Sequence, residues 1–158
     1  PDRYLTVNYI MINVEEILAM WKKDCIIDEM NLDEASKDTA KLHAKYLELL
    51  SITKLALKKK ELDQRVLLKD KWMYFNGKMD KAQIDEKGWD YDPFGGHKIM
   101  KSDMQYMYES DPELQKSEVQ ITYLKTAVDT LQEIMDTLKW RHQTIKNMIE
   151  WRKFTSGV

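Results

Sequence analysis

The residues best placed to do chemistry lie in one run, 54–78, which reads KLALKKKELDQRVLLKDKWMYFNGK. Over 54–81 nine lysines and arginines stand against four acids, a local charge of +5 in a chain of net −2. At about 100° per residue, Lys54, Lys58, Arg65, Lys69 and Trp72 fall within roughly 60° of one another on a helix. Tyr74, Phe75 and Lys78 follow directly. Basic charge tracks a phosphate backbone and aromatic faces stack on bases, so the stripe has the make-up of a single-strand-binding surface. A solvated helix face has the same composition, and Glu61 and Asp70 interrupt the positive charge.

Other chemistry is poorly represented. The chain holds no phosphate-cradling glycine loop, no paired-histidine zinc helix and no CxxC motif. His43, His97 and His142 are far apart in sequence, and the carboxylates are spaced as helix-surface charges rather than as a dyad. Neither a catalytic residue nor a cofactor or metal is therefore expected. Cys25 stands among apolar residues and reads as a small buried hydrophobe. As the single cysteine it excludes an internal disulfide framework and fits a reducing cytosol. No secretory signal is visible, and the longest uncharged N-terminal run, Tyr4–Val14, is too short to span a bilayer.

The elements that must position the stripe are helices. A charged fraction of 33% and a mean hydropathy of −0.61 favour elongated helices over a compact globule. Residues 1–12 alternate apolar and polar positions and read as an extended arm. Asn13 opens a short helix, with Glu16 at capping-box spacing and Val14, Ile17, Leu18 and Trp21 as its apolar stripe. Cys25–Asp28 reads as a buried connector. Asn31 starts a second helix, and from Leu32 to Phe75 there is no proline or glycine, which permits one helix of about 44 residues, roughly 65 Å long. Asn76-Gly77 is its stop.

Residues 79–111 hold Gly88, Gly95, Gly96, Pro93 and the aromatics Trp89, Tyr91 and Phe94. This reads as an irregular acidic and aromatic loop, with a short helix over Ile99–Tyr108 carrying Met100, Met104 and Met107 on one face. Asp111-Pro112-Glu113 starts the last helix, proline at its first position. Its apolar line runs Leu114, Ser117, Ile121, Leu124, Val128, Leu131, Met135, Leu138, His142, Ile145 and Ile149, a sustained heptad that predicts a coiled-coil seam. Ala127, Ile134 and Met148 widen it, which suits more than one partner helix. His142, on this line, reads as a core or register residue. The expected fold is all-α, a long helical hairpin or coiled coil with a short N-terminal helix. Its parts are an arm and helix over 1–31, a long basic helix over 32–78, a loop over 79–111 and a heptad helix over 112–158. Charge is partitioned along it: 1–53 sum to −4, 82–118 to −5 and 119–158 to +2.

LKDKWMYFNG (68–77) resembles the basic-aromatic segment of the UvsY family, the recombination mediators of T4-like phages. WKKDCIID (21–28) with Leu32 resembles the family's N-terminal signature, and Lys45-Tyr46-Leu47 and Lys54 fall at similar places. Lys101-Ser102-Asp103-Met104 is similar to a short loop motif, and Arg141, Ile145, Lys146, Arg152, Phe154 and Gly157 keep the family's spacing. The ordered set covers roughly 14–157. The resemblance implies a non-enzymatic mediator that binds single-stranded DNA without sequence preference. Its partners would be a RecA-type recombinase, the single-strand-binding protein that coats DNA, and copies of itself in a ring- or barrel-like hexamer or heptamer. Its place would be the cytoplasm of an infected bacterial host, and no membrane is implied. The family's two basic positions correspond to Lys69 and Lys71, with Lys71 and Trp72 where the pattern has arginine and leucine.

The expected DNA contacts are thus Lys54, Lys58, Arg65, Lys69, Lys71 and Lys78, with Trp72 and Tyr74 stacking or packing in a core. The expected assembly residues are Ile121, Leu124, Val128, Leu131, Met135, Leu138, Ile145 and Ile149. The rival reading is a coiled-coil scaffold or adaptor that makes no contact with DNA.

Overall fold

A computed structural model of the chain describes residues 13–157. The expected arm over 1–12 lies outside the described residues. The elements are α1 (Val14–Asp24), α2 (Leu32–Phe75), α3 (Lys81–Lys87), a 3-10 turn (Lys101–Asp103), α4 (Met104–Ser110) and α5 (Pro112–Ser156). Among the described residues there is no strand, and no helix is long and apolar enough to cross a membrane. The long helix allowed by the proline- and glycine-free run is continuous over its 44 residues. The described residues fall into two compact units, one of 13–57 and 123–157, the other of 58–122.

In the first unit α1 begins at Asn13, whose side chain accepts the Glu15 N–H at 3.0 Å rather than pairing reciprocally with Glu16. The Tyr123 hydroxyl completes this cap, accepting from the Val14 N–H at 2.8 Å and donating to Asn13 Oδ1 at 2.6 Å. Ile17 of α1, Tyr46 and Leu50 of α2, and Ala127, Leu131, Ile134, Met135 and Leu138 of α5 form the core. Trp21 meets Tyr46 edge-on at 5.5 Å. Leu32 and Ala35 pack with Ile145 in a smaller cluster, so α2 and α5 run antiparallel here.

The phase of α5 follows the expected seam along most of its length and departs from it toward the C-terminal end. Its inward line is Ala127, Leu131, Ile134, Leu138, Arg141 and Ile145, with Met148 partly buried, while His142 and Ile149 are exposed. Of the expected seam, Leu114, Ser117, Ile121, Leu131, Met135, Leu138 and Ile145 are buried and Leu124 and Val128 half-buried, while at its C-terminal end the inward places of His142 and Ile149 pass to Arg141 and Met148. An α-helix turns in 3.6 residues rather than 3.5, so a strict heptad drifts. Arg141 fixes the choice, its guanidinium donating to the carbonyls of Asp24 (3.5 Å), Cys25 (3.1 Å) and Ile26 (3.3 Å). These are carbonyls that the end of α1 leaves without helical partners. The same contact corrects the reading of Cys25. With the connector's carbonyls turned inward to Arg141, the Cys25 and Ile26 side chains are exposed.

The second unit contains the end of α2, the segment to residue 111 and the start of α5. The stop at Gly77 is built as expected: with φ at +64°, its N–H reaches the Tyr74 carbonyl and the Lys78 N–H the Met73 carbonyl. The segment over 79–111 is more ordered than a loop. Asp80 and Gln83 cap each other reciprocally to start α3, and Gly88 ends it. The short helix expected near Ile99–Tyr108 is the 3-10 turn followed by α4; Met104 and Met107 are half-buried and Met100 is exposed. Asp111 Oδ1 accepts the Glu113 and Leu114 N–H groups, both at 3.0 Å, and so caps α5.

Candidate nucleic-acid interface

The end of α2 sorts its charges onto two faces. Lys58, Arg65, Lys69, Trp72 and Lys78 are exposed, and so is Lys54, on the part of α2 that belongs to the first unit. Lys58 faces Glu61 at 3.8 Å across one helical turn, a contact between open side chains that holds little energy. From Lys58 to Trp72 the helix advances about 21 Å. Trp72 is 45% exposed, and the Lys78 ammonium lies 4.2 Å from its ring centroid. An indole that is nearly half exposed offers apolar ring surface of the kind on which a base stacks.

Lys71 and Tyr74 point the other way. Lys71 is 4% exposed, its ammonium 2.9 Å from Asp111 Oδ2 and 3.1 Å from Glu113 Oε1, with the Trp89 ring centroid 4.0 Å away. Trp89 Nε1 donates to the same Glu113 oxygen at 2.5 Å. Tyr74 is 8% exposed and donates its hydroxyl to the Asp90 carbonyl at 2.6 Å. Burial, followed by the charges of Asp90 and Asp111, raises its phenol above the ordinary value. Its ring lies 4.9 Å from Trp89, and Phe75 lies 5.7 Å from Phe94 and 5.4 Å from Tyr108. These aromatics are the core of the second unit. Tyr74 therefore packs, and Lys71 is a buried cation rather than part of the stripe.

Asp70, which seemed to weaken the patch, is also turned inward and buried. Lys87 of α3 reaches its Oδ2 at 2.9 Å and Lys69 its Oδ1 at 3.1 Å. Lys87, then Lys69, hold the carboxyl below the ordinary aspartate range against the opposing effect of burial. Lys87 thus offsets the acid that stands between the two motif lysines. Nothing in the order LKDKW marks Lys71 for burial. The available signal was its i,i+3 spacing to Tyr74, together with the acids flanking Pro112.

The residues expected to join copies are largely used within the chain. Ile121, Leu131, Met135, Leu138 and Ile145 are buried, Leu124 and Val128 half-buried, and Ile149 exposed. The α5 surface that is open and apolar lies elsewhere. Trp140, Trp151 and Phe154 are exposed, Trp151 and Phe154 at 67% and 78%, with rings stacked at 5.8 Å. At 100° per residue the three lie within about 60° of one another, a regularity present in the sequence but off the heptad line. Among the described residues, no group of three or more His, Cys, Asp and Glu side chains could hold a metal ion.

Comparison with known proteins places these features in a family. The recombination protein uvsY of Enterobacteria phage T4 is 25% identical over 146 residues, which cover 92% of this chain and 99% of that protein. Crystal structures of the bacteriophage T4 recombination mediator protein UvsY share the fold. One lattice form superposes with a TM-score of 0.77 at 23% identity over 92% of this chain and 98% of that one. Another gives 0.75 at 24% identity over 89% and 98%. The family model described as "Recombination, repair and ssDNA binding protein UvsY" matches residues 20–158. The chain belongs to the UvsY family of recombination, repair and single-stranded-DNA-binding proteins.

Proposed function

We propose that this chain is a recombination mediator that binds single-stranded DNA without reading its sequence and helps a RecA-type recombinase replace the single-strand-binding protein on it. The observation that carries the reading is the outward face of α2, where exposed Lys58, Arg65 and Lys69 lead along the helix to an exposed Trp72 with Lys78 against its ring. Phosphates meet the cations, and one base stacks on the indole. Lys54 adds a further phosphate contact, and Lys71 and Tyr74 add none. No donor–acceptor array for base edges is needed, which suits a strand of any sequence.

A few cations and one ring bind weakly alone. Repetition of the patch in a homo-oligomer, a hexameric or heptameric ring or barrel, converts weak, salt-sensitive contacts into tight binding. The buried seam of α5 is already used inside the chain, so the surface that supports assembly is the exposed face of Trp140, Trp151 and Phe154. Bending the strand over repeated patches would loosen the coating protein and offer the strand to the recombinase. That chemistry would take place in the cytoplasm of the infected host.

The test is fluorescence anisotropy of a labelled oligo-dT over a salt series. Each phosphate contact on a single strand adds about 0.7 to the slope of log K against log[salt]. The Lys58→Gln/Arg65→Gln/Lys69→Gln variant should flatten that slope by about 2 per chain. A wild-type protein that does not bind at low salt refutes the reading and leaves the scaffold alternative.

A further inference from the structure

We propose that Lys71 is a positioning residue: it fixes the rotation of the last turns of α2 so that Lys69 and Trp72 face the strand, and does not itself touch DNA. This rests on the single-strand-binding reading above. The sequence alone makes Lys69 and Lys71 look like twin phosphate contacts. On a helix, however, residues two apart point about 200° from each other, so only one can face outward. The structure gives that place to Lys69, whose side chain is 64% exposed against 5% for Lys71.

The surroundings of Lys71 leave no room for a phosphate. Two carboxylates, Asp111 and Glu113, take its ammonium at 2.9 and 3.1 Å, and the Trp89 ring covers it at 4.0 Å. Two acids around one cation leave a local net charge that repels an anion. Displacing them would also uncap α5, because Asp111 holds the Glu113 and Leu114 N–H groups with Oδ1 while Oδ2 holds Lys71. Glu113 links the cation in turn to the Trp89 N–H. The lysine therefore ties α2 to the first turn of α5 and to the segment that carries Trp89. A helix anchored at that point cannot rotate Lys69 away from solvent. Trp72, next along the chain, is held in the same way about 100° from the anchor.

Oligo-dT anisotropy over a salt series, on the full chain, tests this with Lys71→Met, Asp111→Asn and Lys69→Gln. Asparagine caps a helix as well as aspartate does, so Asp111→Asn removes the shorter of the two ion pairs of Lys71 and keeps the cap. We expect Lys71→Met and Asp111→Asn both to weaken binding by at least about fivefold, through the base to which Trp72 no longer presents its ring, and to lower the salt slope by up to about 0.7 as Lys69 turns away. Lys69→Gln should lower the slope by about 0.7. The sign for Asp111→Asn is diagnostic, since removing an acid should tighten binding to an anion if Lys71 is a contact waiting to be freed. Tighter binding by Asp111→Asn, a further slope drop of about 0.7 when Lys71→Met is added to Lys69→Gln, or unchanged affinity in both single variants would each overturn the proposal while the DNA reading stands. A wild-type protein that binds no DNA removes both. If Lys71→Met does not fold, Asp111→Asn decides by the same sign.

Discussion

Leu131→Ala separates a core residue from an assembly residue. Leu131 has no exposed surface and sits in the cluster of Ile17, Tyr46, Leu50, Ala127, Ile134, Met135 and Leu138, drawn from three helices. Truncation removes three carbons, worth about 2.4 kcal/mol at about 0.8 kcal/mol for each buried carbon. Helices on several sides limit collapse around the gap, so a residual cavity raises the loss to about 3–5 kcal/mol. Guanidinium denaturation followed by far-UV circular dichroism, at several protein concentrations, should show that loss. Light scattering under native conditions should give the same mass as wild type. Trp151→Ala and Phe154→Ala, at open positions, should leave the secondary structure intact and lower the mass. If Leu131→Ala instead yields fully helical monomers of unchanged stability, the seam joins copies rather than closing the chain on itself, and the packing argument fails.

Three further outcomes follow from the same contacts. Arg141→Met strips three carbonyls at the end of α1 of their cation and should cost about 2–3 kcal/mol, with faster amide exchange over residues 14–24; unchanged exchange there would exclude the capping role. Burial raises the Asp24 carboxyl, but hydrogen bonds from Lys45 (2.6 Å) and Tyr46 (2.9 Å), with the charges of Lys45 and Arg141, leave it below the ordinary 3.8. Its contribution to stability is therefore complete above about pH 4 and lost as pH falls through the lower folded value, so Asp24→Asn should flatten the acid limb of a denaturation series; an acid limb as steep as wild type would refute this. Trp72→Ala should lose about 1–3 kcal/mol of single-strand affinity without altering the salt slope, a pattern that anisotropy separates from loss of a phosphate contact.

How much was legible depended on whether a signal was local. The 44-residue helix could be read because nothing between Leu32 and Phe75 breaks it and Asn76-Gly77 supplies a left-handed stop. Helix α3 was equally local, with Asp80 and Gln83 at capping-box spacing and Gly88 after it, but the surrounding glycines and aromatics hid it. The seam of α5 was legible through Leu131, Met135, Leu138 and Ile145 but not at His142 and Ile149, because a one-residue shift is a rotation of only about 100° and is decided by what lies opposite. Arg141 settles it through carbonyls 115–117 residues away in sequence, contacts that no window along the chain contains. Cys25 was misread for the same reason.

The lysines sharpen the point into one about mechanism. A sequence reports charge but not desolvation, and Lys71 meets its partner Glu113 across 42 positions. Removing Lys71 from the strand-facing set lowers the number of phosphate contacts that one chain offers, while Lys87 restores part of the balance by holding Asp70. With Lys54, Lys58, Arg65, Lys69 and Lys78 as the proposed contacts, the salt slope would be only about 3.5 per chain. If the chain acts as the proposed mediator, competing with a protein already coating the strand would depend more heavily on repetition of its patch than the linear charge count implied. The demand shifts to whatever joins the copies. With Leu131, Leu138 and Ile145 closed inside the chain, it would fall, on the proposed reading, on the open aromatic face of α5.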